Sequence, residues 1–166
     1  LLDAVEARGI ALHRLEEGGS LSLPDTVQTR IFSPEAGRAY GDLNNYSCVI
    51  RIAYGNTSFL FTGHAEALVE QELLDKGYQP KTDVLHLGHH GSSTSSTEAF
   101  LQAVSPDHVV ISCGQDNKYG HPHSEVLDRL RALSCSIYRT DRDGSITAYS
   151  DGSAVTFEPG THTITE

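Results

Sequence analysis

The chain has 166 residues, 38% of them hydrophobic, enough for one buried core and one domain. Its 12 basic and 22 acidic residues leave a net charge of −10, which disfavours general attraction to phosphate backbones. No apolar stretch approaches the roughly 20 residues that cross a bilayer, and no secretory leader pattern is present.

The absence of any methionine predicts a segment of a longer chain. Cys48, Cys113 and Cys135 are odd in number and lack C-x-x-C spacing. Cys48 and Cys113 sit inside apolar runs and read as small core residues.

Leu1, Leu2, Val5 and Arg8 follow helical spacing up to Gly9, so the first element is the tail of an amphipathic helix. Ile10 to Leu15, Ser20 to Leu23 and Val27 to Phe32 alternate as short strands, with turns at Gly18-Gly19 and Pro24-Asp25. Ser33 to Leu43 is a polar loop. Cys48 to Tyr54 and Ser58 to Thr62 then flank Gly55-Asn56, a hairpin signal.

From residue 64 strands and helices alternate. Leu68, Val69 and Leu73 face one side of a helix that Gly77 ends; Phe100, Leu101 and Val104 do so before Pro106; Val126, Leu127 and Leu130 do so after Ser124 as N-cap. Such succession requires right-handed crossovers onto a sheet. Ser136 to Arg139, Ser145 to Tyr149 and Ala154 to Phe157 close the chain as strands, separated by Asp143-Gly144 and Asp151-Gly152 turns. This predicts a single α/β domain over residues 1–160, with Thr161 to Glu166 as a polar tail.

Three histidine-bearing turns each follow an apolar run. They are Phe59-Leu-Phe-Thr-Gly-His64, Val84-Leu-His-Leu-Gly-His89-His90-Gly-Ser92, and Val109-Val-Ile-Ser-Cys-Gly leading to Tyr119-Gly-His121-Pro-His123. Buried strands followed by helices put all three turns at strand C-terminal ends, where open α/β sheets bind ligands. Several imidazoles gathered there predict a metal site.

Two adjacent histidines between glycines have little reason to serve packing, so His89 and His90 are the sharpest candidates. Pro122 fixes the backbone beside His121. His123 is a weaker candidate, able to decorate the helix start, and His86 reads as a structural histidine. His13, His108 and His162 carry no motif. Asp83 is a candidate for orienting a histidine, Ser92 for binding a phosphate or capping a helix, and Lys118 adjoins the same segment. No G-x-S-x-G elbow, Walker loop or dinucleotide fingerprint is present.

With these residues in place, the chain resembles the metallo-β-lactamase superfamily, specifically the hydrolase domain of ComEC-type DNA-uptake proteins. The resemblance rests on Leu43-Asn-Asn-Tyr-Ser-Cys-Val-Ile, Phe59-Leu-Phe-Thr-Gly, Asp83-Val-Leu-His-Leu-Gly-His-His-Gly-Ser, Asp116-Asn-Lys-Tyr-Gly-His-Pro-His and Tyr138-Arg-Thr-Asp-Arg-Asp-Gly. It implies an αββα sandwich, a dinuclear zinc or manganese centre and hydrolysis of a phosphodiester such as DNA. It also implies a metal-ligand role at His121, and charge stabilisation or proton donation by His89 and His90.

Two departures qualify what the resemblance implies. The family's H-x-H-x-D-H ligand cluster is absent, and His64 stands where the family usually has aspartate. A carboxylate can bridge two metals, whereas a neutral imidazole offers one nitrogen to one metal. The expectations are therefore a C-terminal part of the sandwich, impaired hydrolysis by this chain alone, and completion by a missing N-terminal half in a parent membrane protein. The alternative is a non-catalytic binding or structural module. A sheet lacking its partner half would expose apolar surface, which predicts a homo-oligomer.

Overall fold

The computed structural model describes residues 1–159, so the polar tail expected at Thr161 to Glu166 lies outside the described residues. The first helix, α1 (Leu2–Ala7), is short and has no buried residue. Strands are not formed at Ile10 to Leu15 or Ser20 to Leu23. That region instead runs irregularly beside β1 (Val27–Ser33): Gly18 N–H donates to the Ile31 carbonyl (2.9 Å), and Leu21 N–H donates to Thr29 Oγ1 (2.9 Å). Alternation alone does not make a strand where a side-chain hydroxyl replaces a backbone ladder partner.

β1 pairs antiparallel with β2 (Val49–Tyr54), and β2 with β3 (Thr57–Phe61). Tyr54 opposes Thr57 across Gly55-Asn56, as the hairpin signal predicts. Gly55 has φ +56°, a left-handed conformation that glycine adopts without steric penalty. β3 then pairs in parallel with β4 (Val84–His86), β4 with β5 (His108–Ile111), and β5 with β6 (Ser136–Arg139). The resulting six-stranded sheet has spatial order β1-β2-β3-β4-β5-β6.

The parallel crossovers carry α2 (Ala67–Asp75), α3 (Glu98–Val104) and α4 (Ser124–Arg131). Leu60, Leu85 and Val109 are register partners and so share one sheet face. That face forms one buried cluster with Val69 and Leu73 of α2, Phe100, Leu101 and Val104 of α3, and Val126 and Leu130 of α4. These are the apolar positions that the helical spacing selects. Each is close to fully buried, a burial that contributes about 2 kcal/mol per large side chain.

Helix starts differ from the sequence reading at one point. His123, in extended conformation, occupies the position before α4, and Ser124 is the first helical residue, its Oγ donating to Glu125. α3 is capped by Thr97, whose Oγ1 accepts from Phe100 N–H at 3.3 Å. Buried Glu70 reinforces that start, accepting from Ser96 N–H (2.5 Å) and Thr97 N–H (2.8 Å).

The second, two-stranded sheet pairs β7 (Ile146–Ser150) with β8 (Val155–Pro159). It covers part of the sheet face opposite the helices, where Phe157 stacks on Tyr138 with ring centroids 4.2 Å apart. Between β6 and β7 a single helical turn, α5 (Thr140–Asp143), turns the chain. Together these elements form a mixed α/β architecture, with helices on one sheet face and a two-stranded sheet on the other.

Candidate functional site

Parallel pairing of β3, β4 and β5 aligns their C-terminal ends, and the three histidine turns leave from that common edge. The short 3-10 turn Gly88–Gly91 follows β4. Within it His89 (φ 48°, ψ 40°) and His90 (φ 58°, ψ 20°) are both left-handed. Left-handed non-glycine residues are strained, and two in succession mark a turn held for placement of side chains. The turn is pressed against the next one: a Cβ on Gly91 would lie 2.6 Å from Pro122 Cβ.

His64, His89, His90 and His121 come together. The His64 ring stacks on His89 at 4.6 Å between centroids and meets His90 edge-on at 4.9 Å. His121 lies 5.8 Å from His89 and 6.3 Å from His90. Burial and the neighbouring imidazoles hold the His64 and His121 rings below their ordinary pKa, which favours the neutral, ligand-competent form. A cavity of about 300 Å³ opens beside His90 and His121, bordered by Ser112, Cys113, Asn117 and Tyr119.

Hydrogen bonds fix the tautomers of the central pair. Asn44 Nδ2 donates to Glu66 Oε1 (3.4 Å), which turns its Oδ1 towards His64 Nδ1 at 3.3 Å. An amide oxygen only accepts, so His64 Nδ1 carries the proton. His90 Nδ1 donates in the same way to the Ser112 carbonyl at 2.6 Å. The two Nε2 atoms, 3.1 Å apart, therefore present lone pairs to each other. At that separation a single proton shared by the two rings satisfies both nitrogens, as does a bound cation.

The other predicted residues have different surroundings. His123 joins two turns: its Nδ1 accepts from Ser93 N–H (3.0 Å), so its Nε2 donates to the Tyr119 carbonyl (3.1 Å), and both nitrogens are occupied. Asp83 does not reach the imidazoles. It precedes β4, at the far end of the strand from His89, and accepts from Ser58 Oγ at 2.7 Å. Ser92 is buried and bonds Thr94, so it is not the cap of α3. Lys118 is exposed, with its Nζ 5.0 Å from the Tyr119 ring centroid. His86 is half-buried and stacks on Phe61.

Three further residues contribute: Glu66 had no motif to announce it, while Asn117 and Asp141 lie in quoted motifs that assigned them no role. Glu66 accepts from Thr94 Oγ1 (2.9 Å) and lies 3.5 Å from His89 Nδ1, placing a carboxylate at the cluster. Asn117 clasps the His121 turn through both backbone groups of His121, at 3.0 Å and 2.6 Å. Asp141 receives two bonds from Arg139 and one from the Cys113 thiol, whose pKa is pushed up to about 11 by burial and that carboxylate. Asn44, too, lies in a quoted motif, but only its position opposite His64 reveals what it does.

The residues present do not complete a metal centre. Among the described residues no group of three or more histidine, cysteine, aspartate or glutamate side chains is arranged to hold a metal ion. The His64 and His90 nitrogens would supply two ligands, whereas zinc sites take three or four protein ligands.

The comparisons agree with this architecture. Residues 19–115 match the family model of the metallo-beta-lactamase superfamily. ComE operon protein 3 of Bacillus subtilis is 38% identical over 146 residues, covering 88% of this chain and 19% of that protein. Competence protein ComA of Neisseria gonorrhoeae is 43% identical over 123 residues, covering 74% of this chain and 18% of that protein. The chain thus spans less than a fifth of the length of these relatives.

In fold, the chain is similar to the solved structure of a metal-dependent hydrolase from Parabacteroides distasonis. The TM-score is 0.51 at 13% identity, covering 84% of this chain and 61% of that one. On sequence and fold together, the chain belongs to the metallo-beta-lactamase superfamily, in its ComEC-type competence branch.

Proposed function

We propose that this chain supplies the histidine-bearing part of a metal-dependent hydrolase site acting on phosphodiesters, and that ligands outside the described residues complete it. The observation that carries this reading is the convergence of His64, His89, His90 and His121 at one strand edge, with His64 and His90 locked in lone-pair-facing tautomers. Zinc and manganese are the metals the family resemblance implies; imidazole ligands favour zinc. Glu66 and Thr94 orient His89 towards the cluster, and the His90–His121 cavity is the place for the substrate.

A non-catalytic binding module is the second reading, favoured by the lack of a complete ligand group among the described residues. The two separate in one experiment. The chain, and the same domain prepared with the sequence preceding it in its gene, are exposed to zinc or manganese, dialysed, and assayed for retained metal and hydrolysis of bis-p-nitrophenyl phosphate. The hydrolase reading expects metal and turnover in the extended protein, lost in His90→Ala, and little of either in the isolated chain. Metal-independent or absent turnover in the extended protein overturns it.

A further inference from the structure

The β1–β2 register sets Arg30 directly opposite Arg51. Like charges in directly opposed positions weaken strand pairing, and this pair occurs in a chain whose net charge is −10. Arg51 also opposes Leu60, so both arginines lie on the helix-bearing face, at its outer edge. There, with Lys81, they border a groove of about 350 Å³ that also takes in the side chains of Asn56, Gln79 and Asp83.

The cations are held in place without a direct ion pair, although Arg30 acts on the charge of Glu17 at longer range. The Arg30 guanidinium lies over the Phe32 and Tyr78 rings, 5.1 Å and 4.9 Å from their centroids. Arg51 Nε donates to the Lys81 carbonyl at 3.1 Å. Among the described residues, no carboxylate makes an ion pair with Arg30, Arg51 or Lys81. The acids nearby are engaged elsewhere: Asp83 accepts from Ser58, while Glu17 is bound by Lys76 (2.6 Å) and by the Tyr78 hydroxyl.

Arginine side chains fit phosphate oxygens in a two-pronged fashion, and a groove with three cations and one committed carboxylate selects for an anion. We propose that the groove formed by Arg30, Arg51 and Lys81 binds a phosphate group. Ser58 and Asp83 mark it at the N-terminal ends of β3 and β4, the opposite end from His64 and His89. It is a second site, independent of the hydrolase reading.

The test uses the chain in EDTA, so that metal plays no part. Binding of inorganic phosphate, adenosine 5′-monophosphate and a fluorescent single-stranded oligonucleotide is measured at low and high salt. The expected result is salt-sensitive binding that weakens about tenfold in Arg51→Gln and several-fold in Lys81→Gln. Arg131→Gln, an exposed residue paired with Asp128, should leave binding unchanged.

The melting temperature of Arg51→Gln should equal or exceed that of the parent, because a like-charge contact is removed. Arg51-dependent binding of phosphate itself identifies a free anion as the ligand; Arg51-dependent binding of the oligonucleotide alone identifies a backbone phosphate. No binding of any probe, or equal binding by Arg51→Gln and the parent, overturns the proposal.

Discussion

Asn44, Glu66 and the Ser112 carbonyl decide how the two central imidazoles present themselves. By accepting hydrogen bonds from the Nδ1–H groups, the Asn44 amide oxygen and the Ser112 carbonyl leave the two Nε2 atoms facing each other. The cluster is also sensitive to acid. His64, His86 and His121 all titrate below their ordinary value of 6.5, chiefly through burial, with neighbouring imidazoles adding to it.

Protons are therefore taken up first by the unfolded chain. The stability these rings contribute is present above pH 6.5 and is lost as pH falls through their lowered folded values. The melting temperature of the metal-free chain should drop between about pH 7.5 and about pH 5.5, and the drop should shrink in His64→Gln. A flat profile across that interval would contradict the geometry.

The histidines that converge were legible one residue at a time, because glycine-flanked histidines after apolar runs have few structural uses. Their partners were not. Asn44 and Glu66 meet across 22 residues of chain, and local spacing carries no signal for that contact. Asp83 misled for the same reason: it adjoins the histidine segment in sequence, yet a strand separates it from the imidazoles in space.

At the scale of elements, the turns rather than the strands are under strain. The Gly88–Gly91 turn carries two left-handed histidines, and Gly91, at φ +82°, lets it seat against Pro122. Gly91→Ala introduces both a clash and a disfavoured conformation and should destabilise the fold by about 2 kcal/mol. Thermal or urea denaturation checks this; a variant as stable as the parent would show that the two turns are not in close contact. The strands and the three crossover helices from residue 27 onward followed from periodicity because burial acts on the same residues that spacing selects, whereas α5, with no buried residue, did not. Periodicity failed between residues 10 and 23, where alternation exists but the contacts with β1 are isolated and a side-chain hydroxyl stands in for a ladder partner.

Across the whole molecule, the two sheet faces are treated differently. Three helices bury one. The other is covered in part by β7 and β8, leaving a groove of about 260 Å³ at Phe59, Phe61, Val84, His86 and Val110, with Phe61 38% exposed. Apolar surface of this kind favours association, so the isolated chain should form a homo-oligomer. Light scattering behind size-exclusion chromatography should then show a mass that rises with concentration, reversed by Phe61→Glu. A strictly monomeric species at every concentration would contradict it.

By itself the sequence determined the α/β class, the parallel crossovers and the three histidine turns, because each depends on local spacing and on which side chains water rejects. Tertiary structure alone decided which histidines meet, which tautomers they hold and that Arg30 faces Arg51. Those depend on register and strand alignment, which bring together atoms that no local pattern relates.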